Sequence, residues 1–188
     1  MHPKCRCTIS AVVESKRQTG KTKRLSNINQ EKILPYFIGK TDDSVATLKF
    51  YEKQIVNAKI ENAVIVTAAG EIYHCTGELN SIDNIEELGE KLESAAVTHN
   101  HPKGSANDYT FSDDDFALFE KYGLKILRGI DEKFIYELNR NADDIDFEIT
   151  DIGELIELNS EEIQDSHKRV GLKALIEGYG YRRWERGN

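Results

Sequence analysis

The sequence predicts an α/β domain, with a central mixed β-sheet flanked by helices. Two observations support this fold class. Segments with apolar residues at helical spacing alternate with short runs rich in β-branched residues, and one such helix leads directly into an apolar strand. The 188 residues are 39% hydrophobic and 31% charged, a composition typical of a globular domain with a short appendage.

The individual elements follow from spacing and turn chemistry. Apolar residues recur at helical spacing from Asp43 to Ala58, and Asp42, Asp43 or Ser44 can cap that helix. The runs AVIVT and EIYHCT flank a turn at Gly70 and predict a hairpin with one buried strand. The predicted order is helix 43–58, strands 63–67 and 71–76, helix 83–93, strand 95–98, a helix from 116 to about 123, strands 124–127 and 134–138, and helix 161–177.

Charge divides the chain into three predicted parts. Residues 1–40 carry a formal charge of +7 and the remaining residues carry −15, which together give the net charge of −8. We therefore predict a basic N-terminal arm at 1–40, a core domain at 41–145 and a C-terminal helical extension at 146–188, ending in a frayed or interacting tail at 179–186. The arm is either a solvated leader or a surface that contacts phosphates, while the acidic remainder argues against wholesale binding of nucleic acid.

Membrane and disulfide-rich classes are excluded by composition. No run of about 18 apolar residues occurs, and the opening residues lack the basic-then-apolar pattern of a secretory signal. Cys5, Cys7 and Cys75 are an odd number and too few for a disulfide scaffold, so reduced thiols are expected. Cys75 adjoins His74 on a predicted strand, where neighbours point to opposite faces, which favours a buried thiol over a dyad. We expect a cytoplasmic protein.

The segment THNHPKGSANDYTFSDDD, residues 98–115, carries the candidate chemistry. His99 and His101 are two residues apart at a strand end, so their imidazoles point to the same side and can converge on one ion, although such a pair can also be a solvated rim. On their own, Ser112 and Asp115 have the spacing of a capping box that opens the next helix, although Glu or Gln is the usual third-position residue. Together the two histidines and Asp115 form a three-ligand set that leaves a tetrahedral position open for water, as in catalytic zinc sites.

The order His99-Asn100-His101-Pro102 followed by Ser112-x-x-Asp115 resembles the signature of the JAB/MPN (JAMM-motif) metalloprotease superfamily, closest to its RadC-like and phage-type branches. The resemblance covers roughly residues 43–140 and implies a cytidine-deaminase-like JAB/MPN fold. It also implies a zinc-dependent hydrolase of peptide or isopeptide bonds, acting on a protein or peptide, with His99, His101 and Asp115 as ligands. The loop at 103–111 is longer than is usual for the RadC-like pattern.

The same resemblance implies a glutamate near the first strand of the hairpin. Glu61 directly precedes AVIVT and fits by position, Glu52 is the second choice, and Glu71 lies beyond the turn. In that chemistry zinc lowers the pKa of bound water to about 7. Glu61 would take a proton from this water and pass it to the departing amine, and Ser112 would donate to the oxygen of the tetrahedral intermediate.

The first residues add a second, shorter resemblance. MHPKCRCTI is similar to the ending of phage Mu F-like head-morphogenesis proteins, which implies a phage or prophage origin and head proteins as partners. Three function classes therefore remain open. They are a zinc metallopeptidase, a phage assembly module that uses a JAB-like fold for binding, and a RadC-like protein that contacts nucleic acid through the arm. A metal site at His2, Cys5 and Cys7 lacks an evident fourth ligand.

Overall fold

The fold is described by a computed structural model that covers residues 25, 35–82, 84–104, 110–141 and 167–187. Within these ranges, seven strands form one mixed sheet in the order β1-β3-β2-β4-β5-β6-β7. The strands are β1 (Tyr36–Lys40), β2 (Asn62–Val66), β3 (Glu71–Thr76), β4 (Ala96–Asn100), β5 (Ile126–Ile130), β6 (Phe134–Asn139) and β7 (Gly180–Glu185). The helices are α1 (Ser44–Ile55), a 3-10 helix (Ile85–Leu92), α2 (Asp113–Lys121) and α3 (His167–Glu177). The predicted α/β class, with a mixed sheet and flanking helices, is confirmed.

The sheet is buried on both faces in its middle, which explains the uninterrupted apolar run of β2. Ala63 and Ile65 pack with Val97 and Leu127 on one face. Val64 and Val66 pack on the other face, in a cluster that includes Leu48, Tyr51, Ile72 and Ala96. The 3-10 helix, α2 and α3 cover the first face, which we call the helical face, and α1 covers the second, which we call the α1 face.

The pairing of β4 with β5 is parallel, and every other strand pair in the described sheet is antiparallel. Since parallel neighbours need a crossover, the chain leaves the end of β4, forms α2 and returns as β5. His99 lies near the carboxyl end of β4, and Asp115 lies in the first turn of α2. One crossover unit therefore carries all three predicted metal ligands.

Side-chain caps fix where two helices begin. Asp43 caps α1, since its Oδ1 accepts from the amide of Ala46 at 2.9 Å. Ser112 caps α2 in a complete capping box with Asp115. The segment predicted as a helix at 83–93 is instead a 3-10 helix, broken at Gly89, where φ is +52°. No helix in the described ranges is both long and apolar enough to cross a bilayer.

The two edge strands differ from the sequence analysis. Residues 36–40, assigned there to the arm, form β1 and pair with β3, so the sheet begins before residue 41. Residues 180–185, assigned to a tail, form β7 and pair along the whole of β6. The arm at 1–24, with Cys5 and Cys7, and the start of the C-terminal helix at 161–166 lie outside the described residues.

Candidate metal centre

Two imidazoles and one carboxylate converge at the carboxyl end of β4. The Nε2 atoms of His99 and His101 lie 2.9 Å apart. The carboxylate of Asp115 places Oδ1 3.0 Å from Nε2 of His99 and Oδ2 3.5 Å from Nε2 of His101. Both histidines are buried and Asp115 is partly buried, so the structure brings together the three predicted ligands as a group that could hold a metal ion.

The spacing and the chemistry of these atoms fit a small divalent cation. Ligand atoms 2.0–2.1 Å from a tetrahedral zinc ion lie about 3.3 Å from one another. The two Nε2 atoms are 2.9 Å apart, and each lies 3.0 or 3.5 Å from one of the two oxygens of Asp115. With one ligand atom taken from each residue, the three atoms lie within 4.8 Å of one another, so they can surround one cation.

Burial and charge act in opposite directions on these groups. Burial by itself lowers the pKa of His99, but the Asp115 carboxylate and its hydrogen bond raise that pKa to above its ordinary value overall. Burial by itself raises the pKa of Asp115, and the two imidazoles more than offset this, so that the pKa lies well below its ordinary value. Asp115 is therefore ionised at neutral pH and supplies the negative charge that a cation site needs.

The ring of His101 is oriented from behind by Tyr136 on β6. The hydroxyl of Tyr136 lies 2.7 Å from Nδ1 of His101, on the side of the ring away from Asp115. Tyr136 itself packs edge to face against Phe111 and lies over Gly129, where an added Cβ would overlap its ring. Such outer contacts fix the orientation of a ligating histidine. The sequence analysis missed Tyr136; its only signal there was an inward position on the predicted strand FIYEL.

Ser112 holds one oxygen of Asp115. Its amide and hydroxyl donate to Oδ2 at 2.8 Å and 2.7 Å, and its Oγ accepts from the amide of Asp115 at 3.0 Å. This leaves Oδ1 as the carboxylate oxygen nearest to His99. In this arrangement the hydroxyl proton of Ser112 points at Asp115, so the predicted donation to a reacting oxygen requires that proton to change its partner.

Glu61 lies at the entrance of β2, in the same cavity as the ligand group. It is buried, and it lines a cavity of about 560 Å³ together with His99, Ser112 and Asp115. Its charge raises the pKa of His99. Backbone hydrogen bonds to Gly77 and Glu78 hold it in place, since its amide donates to Glu78 at 2.6 Å and its carbonyl accepts from Gly77 at 2.9 Å.

The two other glutamates considered from sequence lie elsewhere. Glu52 is on the α1 face, where both of its oxygens accept from the guanidinium of Arg128, at 2.6 and 3.1 Å. Glu71 is partly exposed and accepts from Lys91 and Tyr73 at the rim of the sheet. Neither residue lines the cavity of the ligand group. Among the three, Glu61 is the carboxylate that the fold brings to His99.

Cys75 is a buried free thiol on the helical face. Burial, together with the charge of Glu87, raises the pKa of its thiol to about 12. The neighbouring His74 hydrogen-bonds Asn62 through Nε2, at 3.0 Å. The expectation of a buried thiol rather than a dyad is confirmed.

Comparisons with protein-family models, curated proteins and solved structures find no match for this chain.

Proposed function

We propose that the protein is a zinc-dependent metallopeptidase of the JAB/MPN type that hydrolyses a peptide or isopeptide bond. The observation that carries this proposal is the convergence of His99, His101 and Asp115 beside a cavity that His99, Asp115 and Glu61 line. A buried carboxylate beside a three-ligand group is the arrangement that hydrolysis by an activated water requires. The cavity of about 560 Å³ is open to a peptide side chain.

The donor set favours zinc over magnesium or calcium. Two imidazole nitrogens and one carboxylate oxygen suit zinc, whereas the hard cations prefer oxygen ligands throughout. When bound, zinc supplies a Lewis acid that lowers the pKa of water and polarises a carbonyl oxygen. With three protein ligands in the described residues, a position remains for water and substrate.

Each remaining residue has a task that follows from its position. Glu61 accepts a proton from the attacking water and delivers it to the departing amine, since it is a buried carboxylate of the cavity whose charge acts on His99, whereas Glu86 in the same cavity pairs with Lys121. Ser112 orients Asp115 through two hydrogen bonds to Oδ2. Tyr136 orients His101. Should the hydroxyl of Ser112 turn toward the substrate, it can also donate to the reacting oxygen.

The test is a Glu61→Gln variant assayed with a quenched-fluorescence peptide library and with isopeptide-linked peptides. We expect zinc to remain bound at about one ion per chain while hydrolysis falls by roughly 10²-fold or more, the scale of general-base catalysis. Glu86→Gln is the matched control, because Glu86 lines the same cavity but pairs with Lys121. Its activity should match that of the parent protein.

Three results would contradict the proposal. The first is a parent protein that carries zinc and cleaves none of these substrates, which would favour a binding module. The second is full activity in Glu61→Gln. The third is stoichiometric zinc in a His99→Ala, Asp115→Ala double variant, which would place the metal elsewhere. Elemental analysis of protein purified without added metal measures the zinc content in each case.

A further inference from the structure

A second groove lies on the α1 face, on the opposite side of the sheet from the metal centre. Its volume is about 890 Å³, and it runs between α1 and the outer strands β5, β6 and β7. Its walls combine aliphatic, aromatic and basic side chains. The described lining residues are Val45, Lys49, Glu52, Lys53, Val56, Asn57, Arg128, Ile130, Ile135, Arg182, Trp184, Arg186 and Gly187.

The groove is positively charged in a chain whose overall charge is −8. Its one lining carboxylate, Glu52, is neutralised by Arg128 within the sheet. Lys49 and Lys53 are exposed on α1, and Arg186 follows β7. No carboxylate in the described ranges forms an ion pair with any of these three cations. The groove therefore presents positive charge that an anionic partner can neutralise.

The strand β7 places an aromatic ring between basic side chains. Arg182, Trp184 and Arg186 alternate along the chain and line the groove together, at spacings of about 6.6 Å. The guanidinium groups of Arg128 and Arg182 lie over the indole, with their central carbons 5.2 and 5.3 Å from the ring centroid, and the ring remains partly exposed. A basic groove with an aromatic ring in its wall is the arrangement that binds single-stranded nucleic acid, through phosphates and one stacked base.

The N-terminal region reaches the same face at Leu25. Leu25 packs against Ile55, Val56 and Ile130, and its amide donates to Oε1 of Gln54 on α1, at 3.1 Å. Residues 1–40, to which Leu25 belongs, form the most basic part of the sequence, with a charge of +7. Leu25 itself therefore packs on the α1 face, against Val56 and Ile130, which also line the groove.

We propose that this groove binds single-stranded nucleic acid. Lys49, Lys53 and Arg186 neutralise phosphates, and a base stacks against the accessible part of Trp184. An acidic peptide would use the same cations but would have no base for the indole. A duplex keeps its base faces stacked inside and offers none to the ring.

The experiment exploits the fact that Trp184 is the only tryptophan of the chain. The full-length protein is titrated with an oligothymidylate of about 20 nucleotides, a length that spans the site sizes of single-strand binders. Quenching of tryptophan emission reports contact at the groove. Anisotropy of the same oligonucleotide carrying fluorescein reports overall affinity.

The variants separate the groove from general attraction to the basic surface. Lys49→Glu, Lys53→Glu reverses two exposed charges in the groove, whereas Lys59→Glu, Lys125→Glu reverses two exposed charges that do not line it. We expect the dissociation constant to rise by about tenfold or more in the groove variant and to change by less than about twofold in the control. A plot of log K against log salt concentration has a negative slope. In the groove variant this slope should become shallower by about 1.4, since each lost phosphate contact removes about 0.7.

Four outcomes would overturn the proposal. These are no quenching of Trp184, equal losses in both double variants, a duplex of the same length that binds as tightly as the single strand, and labelled polyglutamate that binds as tightly as the oligonucleotide. The last would identify an acidic polypeptide as the partner. Urea unfolding of each variant verifies that both double substitutions leave the fold intact.

Discussion

Two buried polar clusters lie on opposite faces of the sheet, and they differ in how their charges are balanced. On the α1 face, Arg128 donates to both oxygens of Glu52 and, at 2.9 Å, to Glu137, with all three side chains nearly inaccessible. On the helical face, His99, His101 and Asp115 turn potential metal-binding atoms toward one another. The first cluster contains its own cation, and the second has the geometry of a shell around one.

Buried polar groups that are paired within the chain differ in this way from buried polar groups that are arranged to bind a cation. In the Arg128 cluster each donor meets an acceptor, so the polar groups are satisfied by the chain itself. In the histidine cluster the outer contacts, such as that of Tyr136, are satisfied while the inner atoms converge. Convergence of possible ligand atoms, rather than burial alone, therefore makes the histidine cluster a candidate metal site, and the two clusters should respond differently to substitution and to metal.

The largest effect is expected at Arg128. Arg128→Met leaves the buried carboxylate of Glu52 without its cation and leaves Glu137 with Arg182 alone, and the free energy of unfolding should fall by about 3–5 kcal/mol. Urea denaturation measures this loss. Lys91→Met removes an exposed partner of Glu71, and the free energy of unfolding should change far less because water screens this pair. Equal losses in the two variants would show that the buried network contributes no more than a surface pair.

Zinc should stabilise the protein only through the cluster of His99, His101 and Asp115. At a free concentration of 100 times the dissociation constant, zinc should raise the free energy of unfolding by about 2.7 kcal/mol in the parent protein. The gain should vanish in the His99→Ala, Asp115→Ala double variant. Magnesium at the same concentration serves as the control and should have little effect, because it prefers oxygen ligands. An undiminished gain from zinc in the double variant would refute the assignment.

The next prediction concerns the pH dependence of stability at His74, a buried histidine whose ring hydrogen-bonds Asn62. Burial lowers its pKa from 6.5 to about 4, so the unfolded chain takes up a proton between these values that the folded chain does not. The stability contributed by the neutral ring is full above pH 6.5 and is lost as the pH falls toward 4. From pH 8 to pH 5 this loss amounts to about 2 kcal/mol.

Urea unfolding in EDTA at both pH values measures this loss. His74→Gln keeps a donor for Asn62 and cannot titrate, so its stability should depend less on pH than that of the parent protein by about this amount. An identical pH dependence in the two proteins would show that the imidazole is already charged in the folded state.

The smallest effect on stability is expected at Ser112, where the structural and the functional roles meet. Ser112→Ala removes the cap of α2 and should cost about 1 kcal/mol. Ser112→Asp keeps a capping oxygen but brings a negative charge beside Asp115, and we expect a folded, zinc-loaded and inactive protein. Near-normal turnover in Ser112→Asp would reduce Ser112 to a helix cap.

Local rules account for what the sequence predicted. The apolar run of β2, the cap of α2 and the His99-x-His101 spacing each depend on a few adjacent residues, and all three appear in the structure. The edge strands β1 and β7 were missed, since each is defined by pairing with one distant partner strand. Tyr136 and Arg128 were missed for the same reason, because cross-strand register decides which side chains meet.

The three ligand residues come from one short stretch of chain, from His99 to Asp115, within the crossover between β4 and β5. Closing so short a loop costs little conformational entropy, so the unfolded chain already holds two imidazoles and a carboxylate within reach of one another. An ion that binds this stretch in the unfolded state stabilises the folded state by less than its folded-state affinity implies. The difference between the stabilisation calculated from the folded-state affinity and the stabilisation measured would report how tightly the unfolded chain binds the same ion.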